Sequence, residues 1–150
     1  MITLPNKTNK GFTLVEILIV IAIIASLASV FISNFFASIA RGRDSRRKQD
    51  LRSIVNALEL YYNDLGRYPD DLPAASIPFT HPDDENTIYL KETPKDPSTG
   101  VRYCYETADG NQYKLTAQLE NIKDSDILLS PITCGGVDFN YGVTSSNLSL

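Results

Sequence analysis

The sequence predicts an α+β fold in which one long N-terminal helix, about residues 12–65, packs its C-terminal half on a small antiparallel β-sheet. Three observations carry that expectation. Residues 17–40 form a run of 24 residues without an ionisable side chain. Residues 51–65 place Leu51, Ile54, Val55, Leu58, Tyr61, Tyr62 and Leu65 at spacings of three and four, the pattern of one buried helical face. Two stretches of period-two alternation flank Asp109-Gly110, a pair that favours a tight hairpin. A chain of 150 residues holds about one domain.

Residues 1–11, "MITLPNKTNKG", are polar, with one proline, two lysines and no acid, and read as a leader peptide. No proline or glycine interrupts the next stretch from Phe12 to Arg41, and Gly42 is the single soft point before Leu65. A helix over these 54 residues would be about 80 Å long at ~1.5 Å per residue. Its first part, residues 12–40, is apolar on all sides and reaches the roughly 20 residues needed to cross a hydrocarbon core. Its second part, residues 41–65, is amphipathic. A small head cannot bury both parts, so the first must meet lipid or other chains. Gly66 and Pro69 are expected to end the helix.

Residues 66–100 hold six of the eight prolines and read as an irregular loop laid over the helix, with a short strand at Thr87–Leu90. Residues 101–120 are the predicted hairpin, with Val101, Tyr103 and Tyr105 on one strand face and Tyr113, Leu115, Ala117 and Leu119 on the other. Residues 121–150 are mixed, with short strands expected within 127–132 and 137–141 and a loose tail over 143–150. Residues 41–150 together form the predicted head.

Charge is segregated within a net of −4. Residues 12–68 carry seven Lys/Arg against five Asp/Glu, whereas residues 69–150 carry five against thirteen. That balance excludes a uniformly basic nucleic-acid binder. The basic cluster from Arg41 to Arg52 is expected to pair with acidic groups on neighbouring copies, with DNA or lipid phosphates as the alternative. Cys104 and Cys134 are the only cysteines. They form one disulfide if the apolar segment carries this half out of the cytoplasm, and remain two thiols otherwise. The lone histidine, His81, sits in "THPDDE" and reads as solvated. No base and nucleophile stand together and no Gly-rich phosphate loop occurs, so no enzyme and no small-molecule substrate are expected.

Glu16 is the anomaly, a carboxylate at the head of the apolar run. A secretory signal would use Lys7 and Lys10 as its basic region, residues 17–25 as its apolar region, and a cut after Ser26-Leu27-Ala28; neither Glu16 nor the continuing helix fits it. A permanent single-pass anchor explains the length but not the carboxylate, because intramembrane acids are usually functional. A buried core helix is too short a description of the run.

The stretch "KGFTLVEILIVIAIIASLASV" resembles the leader and N-terminal helix of type IV pilins and type II secretion pseudopilins. The resemblance implies a pilin-like fold, cleavage between Gly11 and Phe12 by a prepilin peptidase, methylation of the new amine on Phe12, and an assembly-register role for Glu16. It further implies an inner-membrane, single-pass precursor whose C-terminal domain lies outside the cytoplasm. That precursor would meet the lipid bilayer, then a membrane assembly platform, and finally enter a helical filament with copies of itself and related minor pilins. "YYNDLGRYP" and "TPKDPSTGVRYCYETADGNQYKL" are similar, more loosely, to the major pseudopilin. The chain departs from the family pattern at Ser33, where many relatives carry proline and a loosened helix, and at Ser98-Thr99-Gly100, where a tryptophan is missing after Asp96-Pro97. Its basic cluster also lies on the far side of the apolar run, against the usual orientation bias. No cofactor is expected. Some members hold calcium in the C-terminal loop, and Asp124, Asp126 and Asp138 are the candidate ligands. A surface pilin and a secretion pseudopilin remain two readings of the same features, with an ordinary secreted or membrane-anchored protein as the alternative.

Overall fold

The computed structural model describes residues 11–145, apart from the side chains of residues 30–34. The expected leader over residues 1–10, the side chain of Ser33 and the last five residues lie outside the described residues. Helix α1 spans Leu14–Leu65, 52 residues. The chain divides into two compact units, Met1–Ser38 and Ile39–Leu150.

In the first unit every described side chain from Phe12 to Ser29 is exposed. Among the described residues no helix is long and apolar enough to cross a membrane. Leu14 to Ser29 supplies about 16 residues, short of the roughly 20 a span requires, before the description of side chains breaks off.

In the second unit α1 turns one narrow face inward. Leu51, Ile54, Ala57 and Leu58 are at most 1% exposed and meet Tyr103, Tyr105, Tyr113, Leu115 and Ala117 from the sheet. Burying each such large aliphatic side chain is worth about 1.5–3 kcal/mol. The face is narrower than the spacing predicts: Val55, Tyr61 and Leu65 are half-buried and Tyr62 is exposed. Gly66 ends the helix with φ +70°, and its N–H donates to the Tyr62 carbonyl at 2.8 Å. A left-handed residue is what a C-terminal cap of this kind requires.

The central sheet is three-stranded, ordered β3-β4-β7. Here β3 is Cys104–Thr107, β4 is Tyr113–Ala117 and β7 is Tyr141–Thr144, all antiparallel. The hairpin expected over 101–120 is present, shortened to its paired cores, with Gly110 at φ +75° in the turn. Val143 and Thr144, expected in a loose tail, pair with Leu115 and Lys114 instead. The sheet recruits them because β4 is central and needs a second neighbour to satisfy its outer N–H and C=O groups. Gly142 makes that pairing possible: a Cβ there would lie 2.8 Å from Ile132 Cδ1 and 3.1 Å from the Leu115 carbonyl oxygen.

Two small hairpins complete the head. The pair β1 (Phe79–His81) and β2 (Asp84–Leu90) lies within the proline-rich stretch expected to be irregular. Prolines 78 and 82 bracket β1, and the pairing accommodates them through two register shifts. The pair β5 (Ile132–Cys134) and β6 (Val137–Phe139) turns through Gly135-Gly136.

Candidate functional site

Gly11 and Phe12 precede the helix, and Phe12 is 84% exposed. Thr13 caps α1. Its Oγ1 accepts a hydrogen bond from the Glu16 N–H at 3.2 Å, and Glu16 Oε2 in turn accepts from the Thr13 N–H and the Thr13 hydroxyl, each at 2.9 Å. This is a reciprocal capping box, which satisfies otherwise orphaned N–H groups of the first turn. A carboxylate there also lies at the positive end of the helix dipole. The sequence analysis treated Glu16 as a charge awaiting a partner and missed Thr13. The Thr-x-x-Glu spacing before an apolar run was the available signal.

The basic stretch expected to face neighbouring copies is largely turned inward on its own head. Arg47 is 3% exposed, and its guanidinium reaches three carboxylates: Asp44 at 2.7 Å, Asp96 at 2.6 Å and Glu120 at 2.8 Å. It also donates to Ser98 Oγ at 2.7 Å. Buried Asp44 accepts the backbone N–H groups of Glu120 at 2.9 Å and Asn121 at 2.8 Å, tying the segment after β4 to the helix. Arg43 pairs with Glu120. Hydrogen bonding from Arg43 holds the Glu120 carboxyl down to about 2, assisted by Ser98 and Arg47 against a smaller effect of burial. Burial lowers the affinity of Arg47 for its proton, but hydrogen bonds to Asp96, Glu120 and Asp44 outweigh it and the net shift is upward. Asp96 is held below the usual carboxylate range: burial opposes this, and Arg47 with the Thr99 and Ser98 amides overcomes it.

Lys48 closes the same side. Its Nζ lies 2.6 Å from Asp124 and 2.8 Å from Asp126, with the Tyr141 ring centroid 5.7 Å away. Two of the three candidate calcium ligands are therefore occupied by an ammonium group. The third, Asp138, accepts from Thr133 Oγ1 at 2.7 Å across β5 and β6. Among the described residues no group of three or more His, Cys, Asp or Glu side chains is placed to hold a metal. This donor set does not fit calcium. Cys104 and Cys134 are joined in a disulfide that staples β3 to β5. His81 Nδ1 accepts the Asp83 N–H at 3.1 Å and faces no nucleophile.

Comparison with known proteins places these features in a family. Residues 6–32 match the prokaryotic N-terminal methylation motif, and residues 34–120 match type II secretion system protein G. The type IV wide pilus major component PilA4 of Thermus thermophilus is 37% identical over 111 residues, covering 74% of each chain. The type IV major pilin PilA of Myxococcus xanthus is 28% identical over 144 residues, 94% of this chain and 55% of the relative. Core protein G of the Vibrio cholerae type II secretion system is 32% identical over 97 residues, 61% of this chain and 66% of the relative. No solved structure matches. The chain belongs to the type IV pilin and type II secretion pseudopilin family, and its long helix with a small antiparallel sheet is the α+β arrangement expected of a member.

Proposed function

We propose that the chain is a structural subunit of a type IV pilus-like filament, processed between Gly11 and Phe12 and assembled through its N-terminal helix. The observation that carries this reading is the capped, fully exposed apolar helix that starts directly after Gly11-Phe12, within a matched methylation motif. Such a surface is unstable in water at roughly 25 cal/mol per Å² of apolar area, so lipid or other helices must cover it. The subunit is held in the inner membrane before assembly, with its head outside the cytoplasm, and reaches the filament through a prepilin peptidase and a membrane platform.

Glu16 then acts in register. Cleavage creates an amine on Phe12 that does not exist in the precursor, and methylation leaves it charged. Among packed apolar helices, an unpaired amine or carboxylate is costly, whereas a matched pair offsets most of that cost. The Thr13 cap engages Oε2, so Glu16 is oriented before a neighbouring amine arrives. Protein G matching over residues 34–120 favours a secretion pseudopilus; the two pilus components among the relatives favour a surface pilus.

N-terminal mass spectrometry of the mature chain tests the reading. A methylated Phe12 is expected, and a chain starting at Ser29 or retaining Met1 would overturn it. Glu16→Ala is expected to leave cleavage intact and to abolish filaments. Deletion of the gene separates the two assemblies: loss of long surface fibres marks a pilus, and loss of protein export with fibres intact marks a pseudopilus.

A further inference from the structure

On the head, β2 and the helix turn around Arg46 border an open groove of about 950 Å³. Its two helix-side and loop-side acids are already engaged. Asp50 accepts the Tyr103 hydroxyl at 2.9 Å and pairs with Arg46 Nε at 2.9 Å, while Asp96 is taken by Arg47 and by the Ser98 and Thr99 amides. Lys91 and Lys95 line the same groove and have no ion-pair partner among the described residues. Arg46 keeps 66% of its side chain exposed despite Asp50. Ile88 adds an apolar wall that is 52% exposed. With Glu92 as the one acid left uncompensated, the groove is cationic.

The complementary feature sits at the other end of β2. Asp83, Asp84 and Glu85 are consecutive and exposed at the β1–β2 turn. Asp84 is spent on the turn itself: Oδ1 accepts from the Asn86 N–H and side-chain amide at 3.1 Å, and Oδ2 accepts from Thr87 Oγ1 at 2.7 Å. The Asp83 N–H is fixed to His81 Nδ1. The carboxylates of Asp83 and Glu85 take part in no hydrogen bond or ion pair among the described residues. The tip is therefore a preorganised pair of free negative charges, which lowers the ordering cost of docking.

One strand carries both features, and its geometry decides where they meet. The six steps from Asp84 to Leu90 separate tip from groove by about 20 Å at ~3.3 Å per residue. A paired strand cannot fold the tip back onto its own groove. We infer that the groove between β2 and Arg46 receives the acidic β1–β2 tip of a second copy of this chain, with Asp83 and Glu85 facing Lys91 and Lys95. Two different patches meeting in this way form a heterologous contact, which repeats without closing and yields an open array. The inference rests on the filament reading and names the head surfaces that join successive subunits.

Charge reversal in the full-length chain, expressed in its own host, tests it. Glu85→Lys and Lys95→Glu, each alone, should lower the number of filaments about tenfold, since like charges then face each other across the joint. The double variant Glu85→Lys with Lys95→Glu should restore them, and Lys91→Glu should behave as Lys95→Glu does. All four positions are exposed and leave the core untouched, and an unchanged urea midpoint verifies that the head is folded. Filaments at wild-type number in the single variants, or no restoration in the double variant, would overturn the inference. Vesicles with roughly one third anionic lipid supply the other arm. Binding that Lys95→Glu removes while filament number stays unchanged would assign the groove to lipid headgroups and also overturn it. Absence of filaments from the unaltered chain would instead sink the filament reading itself.

Discussion

Arg47 is a cation that the head cannot lose cheaply. Its guanidinium is buried against Asp44, Asp96 and Glu120, and Asp44 is itself only 1% exposed. Removing one partner of a buried ionic cluster strands the other charges without water, at a typical cost of about 3–5 kcal/mol. Arg47→Met is expected to destabilise the head by that amount in urea unfolding. Adding Asp44→Asn should recover part of the loss, because the stranded charge goes with it; a single-variant loss under about 1 kcal/mol would contradict the burial argument. The same cluster sets the acid response. Glu120 is held down to about 2, and Asp96 and Asp124 are also below the usual carboxylate range, Asp124 chiefly through Lys48. In the unfolded chain these groups take up protons near pH 4–4.5. Their contribution is therefore complete above about pH 5 and is lost as pH falls from there towards 2. Thermal midpoints should be flat from neutrality to about pH 5 and drop below it, and Glu120→Gln should shrink that drop. Neither the cluster nor its acids were legible in the sequence. "ARGRDSRRKQDLR" shows that bases gather on one helix stretch, but only the return of Asp96 and Glu120 from later segments decides that they turn inward.

Elements differ in how plainly they announce themselves. The helix was readable nearly to its ends because its pattern is long and uninterrupted, and the one shift, from Phe12 to Leu14, follows from Thr13 acting as the cap. The β3–β4 hairpin was readable because alternation brackets an Asp-Gly turn. The β1–β2 hairpin was not, since prolines at 73, 78 and 82 carry a loop signal and the exposed Asp84-Glu85-Asn86 half of β2 shows no apolar alternation. Strand β7 was hidden for a different reason: "YGVT" pairs with residues nearly 30 positions earlier, and no local pattern encodes that partner. The link that holds this late chain in place is covalent. Cys104 in β3 and Cys134 in β5 are 30 residues apart, and closing a loop of that length is worth about 3–4 kcal/mol in the loop-entropy account. Paired Cys104→Ser and Cys134→Ser changes should lower the unfolding free energy by that amount and expose β5 and β6 to proteolysis first. Equal protection of β5–β6 amides with and without the bond, measured by hydrogen exchange, would show that the staple is dispensable.

At the scale of the whole molecule, one continuous helix serves two compact units with opposite solvent requirements. Residues 14–29 expose apolar side chains on every side, whereas Leu51, Ile54 and Leu58 are fully packed into the head. The division at Ser38 and Ile39 falls just before Asp44 and Arg47, so every charged partner of the buried cluster belongs to the second unit. A fragment beginning at Ile39 keeps the core face of the helix, the three-stranded sheet, the disulfide and the ionic cluster together. It should fold on its own, unfold in a single cooperative transition, and stay monomeric in water at concentrations where the full chain needs detergent. Sedimentation of both forms, with and without detergent, measures this directly. Moving the start to Leu51 should abolish folding, because it discards Asp44, Arg47 and Lys48, which anchor the segments around Asp96, Glu120 and Asp124. If the fragment from Ile39 aggregated like the full chain, the apolar N-terminal stretch would not be the surface that drives association, and assembly would have to begin from the head.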